Sequence, residues 1–182
     1  MELSLIGYFL RRTKIPPNWE PFLPSTLTEV CTVSHCMNPP SEGWINRWLH
    51  NDLGFFNTQA DALSMTVDSP HEHHLFAYRL LLVRFDRGNR DPISLPELAV
   101  EYLSNDFVSL GFDVVSKSVS AFFECSPLSC NGLSKEFPVN RFCLLSTLAE
   151  AEAFAEHCSR EEPEPGPYYV VEVMRENDLG NG

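Results

Sequence analysis

Cys31-Thr-Val-Ser-His-Cys36 and Cys125-Ser-Pro-Leu-Ser-Cys130 carry the same Cys-x4-Cys pattern in the two halves of this chain. An alignment of the two motifs without gaps also pairs three polar residues of each half, which are Glu42 with Glu136, Asn46 with Asn140 and Arg47 with Arg141. A match of this kind indicates an internal duplication. The pattern therefore predicts architecture before it predicts any activity.

The sequence on either side of the two motifs repeats in the same order. Before each motif a glycine and an aromatic residue, Gly7-Tyr8 and Gly111-Phe112, lie in a β-prone run. After each motif Thr58-Gln-Ala-Asp-Ala62 resembles Thr147-Leu-Ala-Glu-Ala151, and an apolar, strand-like run follows. Colinear matches favour duplication over a chance similarity of composition.

These patterns predict an α+β protein made of two divergent copies of a unit with the order strand, cysteine loop, helix and strand. The two copies are expected to form one two-lobed domain. The predicted bounds are a first repeat over 1–90, a linker over 91–104, a second repeat over 105–176 and a flexible tail over 177–182. The clearest single element is a helix that begins after Thr147, because Thr147 and Glu150 form a capping-box pattern.

Composition and charge exclude some classes of partner. The 182-residue chain has a formal net charge of -12 with only 13 Lys and Arg residues, which argues against nucleic acid as a partner. The apolar run from Leu3 to Leu10 is too short to span a bilayer and has no signal-peptide pattern, so no membrane partner is expected. We predict a cytoplasmic protein whose six cysteines are thiols.

The paired cysteines also fit a structural zinc site. Four thiolates make a closed tetrahedral zinc site, and Cys31, Cys36, Cys125 and Cys130 would supply them if the two copies converge. Because Cys31 lies in a β-prone stretch and no Cys-x2-Cys knuckle is present, burial of the thiols as small apolar side chains is the favoured interpretation. We therefore expect no cofactor, with zinc as the alternative.

Two other groups of residues could support metal binding or catalysis. His71-Glu-His-His74 could chelate a divalent ion, although histidines in a loop before a strand are more often solvated. A thiol-dependent enzyme would use Cys125, with a base from His50, His157 or the histidine cluster. The sequence contains no phosphate-binding glycine loop, nucleophile elbow or His-Glu-x-x-His motif, so binding is favoured over catalysis.

The two Asn-Arg pairs are the candidate ligand-binding residues. Asn46, Arg47, Asn140 and Arg141 would face a groove between the two copies and bind a carboxylate or phosphate. Internal ion pairs of Arg47 with Glu42 and of Arg141 with Glu136 are the structural alternative, and they are favoured. We predict a binding module that acts through the surface between its two repeats, with a protein or a small anionic ligand as the partner.

Overall fold

The fold is known from a computed structural model, which describes residues 2–34, 50–65, 72–117, 123 and 125–177. Five strands and three α-helices make up the regular structure of these residues. The strands are β1 (Leu3–Arg12), β2 (His73–Asp86), β3 (Asn89–Pro92), β4 (Phe107–Ser116) and β5 (Tyr168–Glu176). The helices are α1 (Gln59–Leu63), α2 (Pro127–Cys130) and α3 (Leu148–Glu161). The predicted α+β class is confirmed.

The strands form one five-stranded antiparallel sheet. Four of them follow the order β1-β2-β5-β4, and the short strand β3 pairs with the last residues of β2. β2 and β5 lie at the centre, where Arg79 is opposite Glu172. These two side chains form an ion pair in which the carboxylate is almost fully buried. The strands of both halves of the chain therefore share one sheet, and each half supplies one central strand and one outer strand.

The two faces of the sheet are covered differently. α3 packs Phe154 and its apolar neighbours against Val114 and Val170 on one face. Because side chains alternate along a strand, Tyr78 and Val173 point to the opposite face, where they are fully buried. Segments that follow β1 and β4 cover this second face. We call it the face opposite α3.

Both outer strands contain a β-bulge at a glycine. Gly7 in β1 and Gly111 in β4 lie at β-bulges with φ values of 135° and 137°. A Cβ atom at Gly7 would lie 2.5 Å from the oxygen of Phe56, and one at Gly111 would lie 2.6 Å from the oxygen of Leu145. Only glycine fits such a close approach of two backbones at this φ value.

Each bulge is followed by a reciprocal pair of backbone hydrogen bonds to a loop. Tyr8 pairs with Phe56 at N···O distances of 2.9 and 3.0 Å, and Phe112 pairs with Leu145 at 2.8 and 2.9 Å. We call residues 51–57 and 140–146 the asparagine loops, because each begins with an asparagine. These loops cover part of the outer edge of the sheet.

A helix begins directly after each asparagine loop. Thr58 caps α1 by accepting a hydrogen bond from the backbone N–H of Asp61. Thr147 caps α3 in the same way, and Glu150 completes the predicted capping box. The prediction of these two helix starts is confirmed. The reason is local, because each threonine side chain and the backbone N–H that donates to it lie within one turn.

The segment between β3 and β4 has neither helix nor strand over 93–106. It is extended, and its apolar side chains pack against the main core while Tyr102 remains 86% exposed. The segment is tied down near its end, where the hydroxyl of Tyr8 donates to the backbone oxygen of Glu101 over 3.2 Å. This strap connects the two halves of the chain without forming an element of its own.

Candidate functional site

Of the predicted ligand-binding residues, Asn140 has a structural role in its loop. Its Nδ2 donates to the oxygen of Leu110 over 2.8 Å. Its Oδ1 accepts from the backbone N–H groups of Phe142 and Leu144 over 2.9 and 3.3 Å. The amide is therefore engaged on both sides and holds the asparagine loop against β4.

Asn51 makes the same set of contacts in the first half of the chain. Its Nδ2 donates to the oxygen of Ile6 over 2.8 Å, and its Oδ1 accepts from the N–H groups of Leu53 and Phe55 over 3.0 and 3.2 Å. Asn51 was not among the predicted site residues, because the gapless alignment of the cysteine motifs pairs Asn140 with Asn46. The missed signal is spacing, because Asn51 precedes Thr58 by the same distance as Asn140 precedes Thr147.

Arg141 is exposed, and its guanidinium carbon lies 4.7 Å from the ring centroid of Phe142. Among the residues that the structure describes, no carboxylate forms an ion pair with Arg141, so the expected lock with Glu136 is not formed there. The other predicted pair, Asn46 and Arg47, lies outside the described residues.

The cysteines fall into two groups by burial. Cys31, Cys143 and Cys158 are buried. Burial raises the pKa of Cys31 well above its usual value and raises the pKa values of Cys143 and Cys158 to about 12. Thiols that hold their protons so tightly are poor nucleophiles at neutral pH. These three cysteines therefore act as apolar packing groups.

Cys125 and Cys130 are half-buried thiols, in contrast to the buried state that we expected for the motif cysteines. The Sγ atom of Cys130 lies 2.9 Å from the Oγ atom of Ser34, in a contact between the two halves of the chain. Within the described ranges, no three His, Cys, Asp or Glu side chains converge as metal ligands. The zinc hypothesis also involves Cys36, which lies outside these ranges, so it stays a prediction.

The predicted histidine sites are distributed over several elements. His73 and His74 belong to β2, where they pair with Arg12 and Arg11 of β1. His50 packs against aromatic rings, and burial lowers its pKa. His71 lies outside the described residues.

A pocket of about 560 Å³ opens between the segment that follows β1 and the segment that follows β4. The residues that line it are Asn18, Trp19 and Phe22 from the first segment and Cys130, Asn131, Gly132 and Lys135 from the second. We call it the connector pocket. Its size is in the range typical of sites for small ligands, which is about 300–1,000 Å³.

The connector pocket combines an aromatic wall with a few polar groups. Trp19 is half-buried, whereas Phe22 is 60% exposed. Lys135 donates through Nζ to the backbone oxygen of Pro21 over 2.6 Å, which ties the two walls together. An ammonium group has three donors, so Lys135 retains capacity for a ligand acceptor. Large exposed aromatic side chains beside a cation are typical of a binding surface.

Side-chain hydrogen bonds also join the two segments that line the pocket. The hydroxyls of Thr32 and Ser129 are buried and 2.9 Å apart. Close to them in both segments, the hydroxyl of Ser34 contacts the thiol of Cys130. These contacts fix the position of Cys130 relative to the first segment. The pocket walls are therefore held by pairs of side chains from opposite halves.

A buried carboxyl group also joins the same two segments. Asp113 is fully buried and accepts hydrogen bonds from the N–H of Val33 over 2.7 Å and the hydroxyl of Ser126 over 2.6 Å. The carboxyl group also accepts a hydrogen bond from the backbone N–H of Val114 over 2.8 Å. Burial raises the pKa of Asp113 to about 7 and outweighs these hydrogen bonds, which favour the ionised form.

None of the helices in the described part of the chain has the length and apolar character needed to cross a membrane. Comparison of the chain with models of protein families, with curated proteins and with solved structures finds no match.

Proposed function

We propose that this protein is a binding module made from two copies of one unit, and that it takes a ligand in the connector pocket. The observation that carries the proposal is the lining of the pocket, to which both halves contribute aromatic or polar side chains. A site between repeats is complete only when both repeats are present. This explains why no complete motif for it occurs in either half.

Duplication is supported by the repeated device at the outer strands. Each half has a bulged glycine, a reciprocal backbone pair, an asparagine with three equivalent hydrogen bonds and a threonine helix cap. The sheet order β1-β2-β5-β4 is symmetric about its central pair. Because β2 and β5 are antiparallel, an approximate twofold axis perpendicular to the sheet relates the strands of one half to those of the other. Independent origin of all these matching features is a less economical explanation.

The duplication differs in its register from the gapless alignment of the cysteine motifs. Asn51 corresponds to Asn140 by contacts, whereas the gapless alignment assigns that place to Asn46. The segment between motif and asparagine loop is therefore longer in the first copy than in the second. A length difference in a connecting segment is the usual form of divergence between repeats.

The lining favours a ligand with an aromatic or other flat apolar part and a negatively charged end. Trp19 and Phe22 supply area for stacking, and Lys135 supplies a cation in an acidic protein. No histidine, the usual general base for a thiol nucleophile, is among the described lining residues. This favours binding over thiol catalysis.

An arylsulfonate probe tests the proposal. We expect 8-anilinonaphthalene-1-sulfonate to bind at one site, with a fluorescence increase and energy transfer from Trp19. Trp19→Ala and Lys135→Met should each weaken binding roughly fivefold or more, since one stacked ring or one charge contributes about 1 kcal/mol. The matched control is Tyr102→Ala, because Tyr102 is an aromatic residue that is 86% exposed outside the pocket. Equal weakening by the control would refute the assignment.

A further inference from the structure

A second candidate site lies on the face opposite α3, at Arg11 of β1. Arg11 is only 4% exposed although it carries a permanent charge. Its guanidinium carbon lies 4.9 Å from the ring centroid of Phe9 and 5.8 Å from that of Tyr78. These rings hold the planar guanidinium in place without neutralising it.

The hydrogen-bonding groups of Arg11 are only partly satisfied. Nη1 donates to the backbone oxygen of Ser34 over 3.3 Å. In the described part of the chain, Nε and Nη2 have no hydrogen-bond partner, and the same holds for the hydroxyl of Tyr78. Burial raises the pKa of Tyr78 to about 12 and outweighs the opposite effect of the neighbouring Arg11, so the phenol keeps its proton and remains a donor. Buried donors without acceptors are rare in folded proteins.

The carboxyl groups of Glu29 and Asp113 are engaged with other partners. Glu29 accepts from Thr13 over 2.6 Å and from Nη1 of Arg175 over 2.9 Å. Burial opposes ionisation of Glu29, but these contacts and the charges of Arg175 and His74 outweigh it and hold its pKa below the usual value. Asp113 accepts three hydrogen bonds from other groups, and burial raises its pKa to about 7 and outweighs the charge of Arg11, which lowers that pKa. Neither carboxylate forms an ion pair with Arg11 among the described residues.

The two unpartnered nitrogens also have a specific geometry. Nε–H and one N–H of Nη2 point in parallel from the same edge of the guanidinium plane. Such an edge matches the two oxygens of a carboxylate in a bidentate pair. A water molecule would satisfy one of these donors and leave the charge without compensation, whereas a carboxylate satisfies both and removes the net charge.

We propose that Arg11 is the anchor of a second binding site, which takes the carboxylate group of a ligand through Nε and Nη2, with the hydroxyl of Tyr78 as a further donor. The site lies behind Ser34 and is separate from the lining of the connector pocket. It does not depend on what the connector pocket binds.

Acetate is the probe that tests this site. The unfolding temperature is measured while acetate replaces chloride at constant ionic strength and pH, with phosphate as a second series. We expect a saturable rise in unfolding temperature for the wild type with acetate, because a ligand that binds only the folded state stabilises it. Arg11→Lys keeps the charge but lacks the bidentate edge, so its apparent affinity for acetate should fall roughly tenfold or more.

Two further variants keep the test decisive. Tyr78→Phe removes one donor and should weaken the acetate response even if changes at Arg11 impair folding. Arg84→Lys is the matched control, because Arg84 is a half-exposed arginine of β2 that pairs with Asp91, and its response should equal that of the wild type. A flat response of the wild type, or a rise with phosphate that equals or exceeds the rise with acetate, would overturn the carboxylate assignment. An undiminished acetate response in Arg11→Lys would overturn it as well.

Discussion

Replacement of Asn140 by alanine should destabilise the protein by about 3 kcal/mol, since three hydrogen bonds of about 1 kcal/mol each are lost. The substitution leaves the oxygen of Leu110 and the N–H groups of Phe142 and Leu144 without their side-chain partner. For a chain of this size, that loss lowers the unfolding temperature by about 6–12 °C. Asn51→Ala should have an effect of similar size, because Asn51 makes the equivalent contacts.

Urea unfolding followed by circular dichroism measures both free energies, and thermal scans give the temperatures. Asn131→Ala is the matched control, because Asn131 is exposed and donates a single hydrogen bond of 3.2 Å to the oxygen of Pro163. Its free energy of unfolding should stay within about 0.5 kcal/mol of the wild type. If Asn140→Ala costs no more than this control, the asparagine does not hold its loop. If only one of Asn51 and Asn140 is costly, the two loops are not equivalent devices.

Three further predictions concern the bulge, the buried carboxyl group and the thiols. Gly111→Ala places a Cβ atom 2.6 Å from a backbone oxygen at a φ value of 137° and should cost about 2–4 kcal/mol in urea unfolding, whereas Gly88→Ala, with its nearest neighbour at 3.7 Å, should cost about 1 kcal/mol. Equal costs would contradict the steric argument. The folded state holds a proton on Asp113 up to about pH 7, whereas the unfolded state releases it near pH 3.8, so this group makes the free energy of unfolding fall as the pH rises from about 4 to 7. Asp113→Asn should remove that part of the pH dependence, and an unchanged slope would show that Asp113 titrates normally. In native protein, iodoacetamide followed by peptide mass spectrometry should label Cys130 at least about tenfold faster than Cys158, whose pKa burial raises to about 12. Equal rates would indicate that burial does not protect Cys158.

The sequence alone determined the features that depend on neighbouring residues. The start of α3 was predictable because Thr147 and Glu150 satisfy the first backbone groups of the helix within a single turn. The α+β class followed from the alternation of β-prone runs with this helical pattern. These features need no knowledge of where distant segments lie.

Only the tertiary structure decided which polar residues face each other. Asn140 was a candidate ligand residue in the sequence, but the approach of its loop to β4 makes it a hydrogen-bonding brace. Arg11 followed an apolar run as an ordinary charged residue, and burial beneath the segment that contains Ser34 gives it an unmatched charge. The physical reason is that desolvation and hydrogen bonding depend on groups far apart in the chain, so the chemistry of a polar side chain is set by the neighbours that folding brings to it.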